Sequence, residues 1–156
     1  HMTVLAEVFD SYDQAYANLE ANLENGKAFE AFRSLVKAQG GNIAMIDDLS
    51  KLPQSKHKIV VTSKSEGFVT GIDAESIGLA AMYLGAGRAT KDDQINHGVG
   101  ITLHKKLGDS VRTGEALVTL HSDQSTLNDS EQKVLDAYTI SKEKTDALPL
   151  IYKVIK

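Results

Sequence analysis

The spacing of apolar and polar residues predicts a helix close to the start of the chain. Ser11-Tyr-Asp-Gln14 has the form of a capping box, in which the serine and glutamine side chains satisfy the first free backbone N–H groups. Asn25-Gly26 supplies a left-handed position that ends the helix. Between these signals, apolar residues recur on one helical face at Tyr12, Tyr16, Leu19 and Leu23.

A second helix is predicted directly after this stop, so that the first 40 residues form a helical hairpin. Gly40-Gly41 ends the second helix. The segment Ala44–Pro53 is expected to be a loop or short turn, and the boundary between two parts of the chain. The buried side of the second helix is expected to carry Ala28, Phe29, Phe32, Leu35 and Val36.

From His57 onward the pattern changes to strands. Strands are predicted where β-branched or alternating apolar residues occur, at 59–62, 67–72, 99–103, 117–120 and 150–155. Two helices are predicted among them, one from Asp73 to about Leu84 and one from Asn128 to Thr139. Gly78 lies inside the first of these helices, where its low helix propensity suggests close packing against a neighbour.

Two tight turns are predicted within the strand-rich region, at Lys106–Asp109 and at Thr113-Gly114. Val111, between the turns, is expected to place an apolar side chain back into a small β-sandwich. The predicted fold class is therefore α+β. It consists of an N-terminal helical hairpin followed by a small β-sandwich module with an inserted helix and flanking helices.

The composition argues against only a few classes of function. The chain has 156 residues, a net charge of −4 and no cysteine, which argues against nucleic-acid binding, disulfides and a thiolate metal site. No apolar run is long enough to suggest a membrane span or a secretion signal. His1-Met2 is typical of an expression-vector remnant, so Thr3 is expected to be an engineered start.

Gly85-Ala-Gly-Arg88 is a candidate anion site. Backbone N–H groups at glycine turns bind anions, and the guanidinium of Arg88 could supply a two-pronged contact. The alternative is a helix C-terminus with a tight turn, in which Arg88 bridges to a local carboxylate or carbonyl. Gly85, Gly87 and Arg88 are the residues of this candidate site.

Other chemistry-bearing residues have structural interpretations. His104 and His121 end strands and could face each other, but the five histidines lack the spacing of a zinc site. The aspartate pairs 47–48 and 92–93 favour capping and turn roles over a catalytic pair. Lys105-Lys106 is expected to belong to a solvated hairpin tip.

The segment from Lys106 to Glu115, Lys-x-Gly-Asp-x-Val-x-x-Gly-Glu, resembles the hammerhead of biotinyl and lipoyl carrier domains, a barrel-sandwich-hybrid fold. Ser65–Val69 is similar to the opening strand of that unit, and the helix and the loop 85–93 would be an insertion. The resemblance places the carrier lysine at Gln124, which has no amine to acylate. A stand-alone binding or scaffold module of this type is therefore an alternative function.

A wider resemblance is to the C-terminal part of pyrimidine nucleoside phosphorylases, the family that includes thymidine phosphorylase. The matching segments follow one another in the family's order, at 26–32, 38–41, 48–53, 67–69, 84–93 and 98–115. The resemblance implies that residues 3–53 are a helical segment of the parent's α/β lobe and that residues 54–156 are its C-terminal α+β domain.

The same resemblance implies a cytoplasmic bacterial transferase that splits uridine or thymidine with phosphate. Its catalytic and substrate-binding residues and its potassium site would precede Thr3, so the chain is expected to be an inactive fragment without cofactor. Its expected partners are the rest of the parent's α/β lobe and the helical lobe, through which the parent is expected to form a homodimer. No nucleic-acid or membrane partner is expected.

Overall fold

The structure is a computed structural model that describes residues 1–125, 127 and 129–155. It divides into two compact units, His1–Leu52 and Pro53–Lys156, and each is described by itself. The assignment of residues 3–53 to the α/β lobe of a longer enzyme, and of residues 54–156 to its C-terminal α+β domain, stays a prediction. The α+β class is confirmed, because one unit is helical and the other combines helices with two small antiparallel sheets.

The first unit contains the predicted helical hairpin. Its helices are α1 (Met2–Leu5), α2 (Tyr12–Glu24), α3 (Lys27–Ala38) and α4 (Ala44–Asp47), followed by a 3₁₀ turn at Leu49–Lys51. Ser11 caps α2 by accepting a hydrogen bond from the Gln14 N–H at 3.3 Å. Gly26 and Gly40 adopt positive φ angles of 82° and 75°, which confirms the predicted helix stops.

The expected burial of one side of α3 is wrong in this chain. Phe29, Phe32 and Leu35 are 47%, 49% and 57% exposed. The apolar spacing predicts the helix and its orientation, but burial also requires a surface that packs against it. The segment expected to be a loop at 44–53 contains the short helix α4 and the 3₁₀ turn, and Asp48 caps this turn through the Ser50 N–H.

The second unit contains two three-stranded antiparallel sheets. Its strands are β1 (His57–Thr62), β2 (Gly67–Ile72), β3 (Gly100–Leu103), β4 (Ser110–Val111), β5 (Ala116–Ser122) and β6 (Tyr138–Ser141). One sheet has the order β1-β5-β3 and the other has the order β4-β2-β6. Their core combines apolar side chains of both sheets with two helices, and it includes Val61, Val69, Ala80, Val111, Leu117, Leu120 and Val134.

Helix α5 (Ala74–Ala81) follows β2, and Asp73 caps it as predicted by accepting from the Glu75 N–H. It continues as a π-helical turn, Met82–Ala86, in which Gly85 departs from helical geometry with a φ of 99°. The expectation that Gly78 packs closely against a neighbour is wrong, because a Cβ at this position would meet no atom within 4 Å.

Helix α6 (Ser130–Ala137) is shorter than the predicted helix, and Asn128 lies outside the described residues. Tyr138 and Thr139 belong instead to β6, because residues of β6 pair with β2 at positions such as Ile72↔Tyr138. The strand predicted at 150–155 is also wrong: no regular structure occurs at these positions, and Leu150 is fully exposed.

Candidate functional site

The structure places Gly85, Gly87 and Arg88 in sequence after α5. Gly85 breaks the helical geometry near the end of the π-helical turn, and its carbonyl oxygen accepts the N–H of Asn96 at 2.9 Å. Gly87 is extended, with φ and ψ of −139° and 177°. Arg88 is exposed, and within the described part of the chain it forms no hydrogen bond or ion pair. The glycines therefore lie at the C-terminal end of a helix, and the expected bridge from Arg88 to a local group is not seen.

Asp93 organises the loop that follows. Its carboxylate accepts the N–H groups of Ala89 and Thr90 at 2.9 and 2.8 Å, and the Thr90 hydroxyl at 2.7 Å. The Thr90 hydroxyl is the main cause that lowers the pKa of Asp93, and the two N–H groups add to it. The predicted turn role of this aspartate is confirmed, since its oxygens satisfy donors of its own loop.

Asn96 and Asp123 fix the base of this loop. The Asn96 side-chain amide donates to Asp123 at 2.7 Å, and the Lys56 N–H donates to the same carboxylate at 3.0 Å. The Lys56 N–H is the main cause that lowers the pKa of Asp123. The side-chain Oδ1 of Asn96 also accepts the Gly98 N–H at 2.9 Å. The sequence analysis missed this junction, because its partners are separated by 27 and 67 residues.

The two tight turns have the predicted geometry. Gly108 and Gly114 adopt positive φ angles of 89° and 81°, and Val111 between them is 2% exposed. In the first turn the Lys106 N–H donates to the Asp109 carboxylate at 2.7 Å. In the second, the N–H of Arg112 donates to Glu115 at 2.8 Å. Each turn is thus closed by its own acidic side chain.

Lys105 does not belong to a solvated tip, so that expectation is wrong. Its Nζ lies 2.6 Å from Glu115 Oε1 and donates to the Ser110 carbonyl oxygen at 2.7 Å, and the side chain is 18% exposed. The hydrogen bond from Lys105 to the Glu115 carboxylate is the main cause that lowers the pKa of Glu115. The Tyr138 hydroxyl donates to the Lys105 carbonyl oxygen at 2.9 Å, and burial raises the pKa of Tyr138 to about 12. The contact with Tyr138 of β6 joins residues 33 positions apart, which local sequence could not reveal.

Gln124, the position of the carrier lysine in the hammerhead comparison, lies in a bend after β5. Its N–H donates to the Ser122 hydroxyl at 3.0 Å, and its side chain is exposed. An exposed amide cannot form the amide linkage that a carrier lysine forms with its cofactor. The geometry of the module is therefore compatible with a carrier fold, whereas the residue at this bend is not compatible with carrier chemistry.

The two strand-end histidines each pair with a threonine on the neighbouring strand. His104 Nε2 lies 2.7 Å from Thr119 Oγ1, and His121 Nε2 lies 2.9 Å from Thr102 Oγ1. Thr102 and Thr119 are direct partners in the β3–β5 ladder. Among the described residues, three or more His, Cys, Asp or Glu side chains nowhere come together in a way that could hold a metal ion.

Comparison with known proteins defines the class. Residues 68–141, which begin in β2 and end in β6, match the family described as the pyrimidine nucleoside phosphorylase C-terminal domain. The chain belongs to the pyrimidine-nucleoside phosphorylase family, as a C-terminal portion. The first unit lies outside the matched domain.

Individual relatives match almost the whole chain. It is 43% identical over 155 residues to pyrimidine-nucleoside phosphorylase of Geobacillus stearothermophilus, covering 99% of the chain and 36% of the relative. It is 47% identical over 154 residues to that of Bacillus subtilis strain 168, and 40% identical over 154 residues to that of Staphylococcus epidermidis. Both matches cover 99% of the chain and 35% of the relative. The chain thus spans about a third of the length of these enzymes.

Over the part of the chain that the structure describes, none of the helices has the length and apolar character needed to cross a bilayer.

Proposed function

We propose that this chain is a structural, non-catalytic part of a pyrimidine-nucleoside phosphorylase. The observation that supports this most strongly is that it aligns along 99% of its length with relatives of which it spans about a third, and that it includes their C-terminal domain. In the complete enzyme, a phosphate oxygen bonds to the anomeric carbon of uridine, thymidine or deoxyuridine as the glycosidic C–N bond breaks. The products are the free base and ribose or deoxyribose 1-phosphate.

The state of the carboxylates supports a structural role. A general base or acid at neutral pH works best with a pKa near the operating pH. Every described carboxyl group with a resolved shift has its pKa lowered instead, because it accepts hydrogen bonds from nearby donors. These groups are Asp48, Asp73, Asp93, Glu115 and Asp123. They are ionised and already engaged, so they are poorly suited to proton transfer.

The chain's role in this proposal is to supply a rigid module to the larger lobe of the enzyme. The catalytic and substrate-binding groups, the potassium site and the homodimer contact belong to the remainder, and the enzyme works in the cytoplasm.

The alternative is a stand-alone hammerhead module that binds or supports another molecule. The paired glycine turns around Val111 favour it, whereas Gln124 opposes carrier function. Intact-mass measurement after expression with a biotin or lipoyl ligase tests whether such a module also acts as an acylated carrier. We expect an unmodified mass, and a covalent adduct would show carrier function despite Gln124.

The Gly85–Arg88 segment is a second, separate proposal, an anion-binding site. The observation that favours it is the exposed guanidinium of Arg88, which has no partner among the described residues. Titration with inorganic phosphate, followed by amide NMR shifts of residues 85–93, tests it against an Arg88→Gln variant. Saturable shifts that the variant loses would support the site, and unchanged spectra would remove it.

The proposed function is tested by assaying phosphate-dependent cleavage of uridine and thymidine by the free chain. We expect no cleavage above the rate of a heat-denatured sample. Phosphate-dependent release of uracil or thymine by the pure chain would contradict the proposal that the catalytic groups lie elsewhere.

A further inference from the structure

Two asparagines of the first unit share one local geometry. The Oδ1 of Asn25 accepts the backbone N–H of Lys27 at 3.0 Å, and the Oδ1 of Asn42 accepts the backbone N–H of Ala44 at 3.0 Å. Both asparagines are exposed, and each lies in the connection between two helices, α2 and α3 for the first and α3 and α4 for the second. The two sites are therefore a matched pair apart from the residue that follows each asparagine.

The following residue decides how easily the side-chain amide of an asparagine is attacked by the main chain. Gly26 has no side chain to shield its backbone nitrogen, and a Cβ at its position would meet no atom within 4 Å. Ile43 carries a branched Cβ beside its nitrogen, which restricts both approach and rotation. In the whole sequence, Asn25 is the only asparagine that directly precedes a glycine.

The turn between α2 and α3 holds Asn25 in an unreactive conformation. Its φ and ψ are −87° and 2°, and its N–H donates to the Ala21 carbonyl oxygen at 2.9 Å. With ψ near 0°, the Gly26 nitrogen and the Asn25 Cβ are not eclipsed about the Cα–C bond, so the nitrogen does not reach the side-chain carbon. Rotation about that bond brings the two atoms together, and it requires the turn to open locally.

We propose that Asn25 is a site of self-modification, at which the chain deamidates through Gly26. The Gly26 nitrogen bonds to Cγ of Asn25, the Cγ–Nδ2 bond breaks, and the amide group leaves as ammonia with the proton of the Gly26 N–H. Water then opens the five-membered cyclic imide at either of its carbonyl groups, which gives aspartate or isoaspartate. The reaction needs only water, so it is independent of the enzyme to which the chain belongs.

The two products differ in their effect on the helical hairpin. Aspartate keeps an oxygen that accepts the Lys27 N–H, and its negative charge lies at the start of α3, where the helix dipole favours it. Isoaspartate adds one carbon to the main chain directly before Gly26, whose φ of 82° sets the turn. Isoaspartate should therefore loosen α2 and α3, whereas aspartate should leave them in place.

The first test follows the free, folded chain in mildly alkaline buffer. Peptide-resolved mass spectrometry measures the mass increase of the amide-to-acid conversion at each asparagine. Asn25 should convert at least about tenfold faster than Asn42, which corresponds to a barrier difference of about 1.4 kcal/mol. Equal rates at the two positions would overturn the proposal, because the following residue would then not control the reaction.

Exchange of the following residues separates the effect of glycine from that of position. Ile43→Gly should raise the rate at Asn42 by at least about tenfold, and Gly26→Ala should lower the rate at Asn25 by a similar factor. Circular dichroism checks that each variant keeps its helices. If Gly26→Ala does not fold, because its φ is strained for alanine, the Ile43→Gly variant decides. An unchanged rate at Asn42 in folded Ile43→Gly would contradict the proposal.

The rate in urea measures the restraint that the turn imposes. Asn25 should convert at least about threefold faster in the unfolded chain than in the folded chain, because unfolding removes the need for local opening. Equal rates in the two states would refute the assignment of the turn as a restraint.

The last test compares the products. The isoaspartyl form is isolated by chromatography from an aged sample, and its hydrogen exchange is measured beside that of an Asn25→Asp variant. Faster exchange of α2 and α3 amides in the isoaspartyl form supports the expected loosening of the hairpin. Equal exchange in the two proteins rejects it.

Discussion

The side-chain amide of Asn96 donates a hydrogen bond of 2.7 Å to the carboxylate of Asp123, which lies 27 residues further along the chain. The same carboxylate receives the Lys56 N–H at 3.0 Å. One charged group therefore joins the segment before β1, the bend after β5 and the base of the loop that follows α5. Loss of this carboxylate, or of its charge, should affect the second unit as a whole.

The pH dependence of stability tests this junction. The pKa of Asp123 is lowered on folding, so its ionised form contributes stability above its unfolded pKa of about 3.9, and this contribution is lost as the pH falls through the folded value. Urea unfolding should show that Asp123→Asn is less stable than the unsubstituted chain at pH 7. The difference should shrink below about pH 4, because protonation then removes from the unsubstituted chain the charge that the variant lacks at every pH.

Asp92→Asn is the control for this pH experiment, because it removes one negative charge from an exposed loop position. Its stability should follow that of the unsubstituted chain over the whole range. A gap between Asp123→Asn and the unsubstituted chain that stays constant down to pH 2 would show that the carboxylate charge is not the cause.

Two glycines of the second unit should respond in opposite ways to the same substitution. Gly78→Ala should stabilise the unit by about 0.5–1 kcal/mol, because Gly78 lies inside a helix and a Cβ meets no atom within 4 Å. Gly67→Ala should destabilise it by about 1–3 kcal/mol, because Gly67 has a φ of 152° and a Cβ would collide with the Ser141 carbonyl oxygen. Chemical unfolding of both variants measures these changes, and a stabilising Gly67→Ala would contradict the paired geometry of β2 and β6.

The core between the sheets should be sensitive to lost volume. Leu120 is fully buried in β5, so Leu120→Ala should lower the free energy of unfolding by about 2–5 kcal/mol. Val60, on neighbouring β1, is 54% exposed, and Val60→Ala should change it by no more than about 0.5 kcal/mol. Equal effects of the two substitutions in urea unfolding would show that the side chains are not placed as described.

Lys105 and Lys106 provide a comparison of adjacent lysines. Lys105→Met removes the contacts to Glu115 and Ser110, and thermal unfolding should shift downward by a few degrees. Lys106→Met leaves these contacts in place and should leave the transition unchanged. A larger effect at Lys106 would refute the assignment of the ion pair to its neighbour.

Hydrogen exchange should divide the chain into two parts. In a dilute sample of the free chain, amides of residues 10–40 should exchange faster than those of residues 100–120, because the large apolar side chains of α2 and α3 are exposed while Leu117, Val118 and Leu120 of β5 are buried. Equal protection of both segments would contradict the view that the hairpin is incomplete without another surface.

Local signals account for most of what the sequence predicted correctly. Gly26, Gly85, Gly108 and Gly114 all adopt positive φ, so each turn could be found from the residue that permits it. Ser11 and Asp73 cap helices for a similarly local reason. Glycine turns and helix caps both depend on residues within a few positions of one another.

Features that depend on distant partners were missed or wrong. Tyr138 and Thr139 leave the predicted helix because they pair with β2 instead. The backbone carbonyl oxygen of Lys105 likewise has its partner, the Tyr138 hydroxyl, 33 residues further along the chain. The Asn96–Asp123 junction has the same origin. The prediction that Phe29 and Phe32 are buried is wrong for another reason. The sequence pattern indicates an apolar helix face, but it does not show whether a surface that packs against this face is present.

The most direct test of the account is phosphate-dependent cleavage of uridine by the chimera that joins this chain to the remaining part of the Bacillus subtilis relative, measured beside the free chain. The account predicts that the folded chimera releases uracil and that the free chain does not. Release of uracil by the free chain, or a folded chimera without activity, would contradict the claim that this chain is a structural portion of such an enzyme.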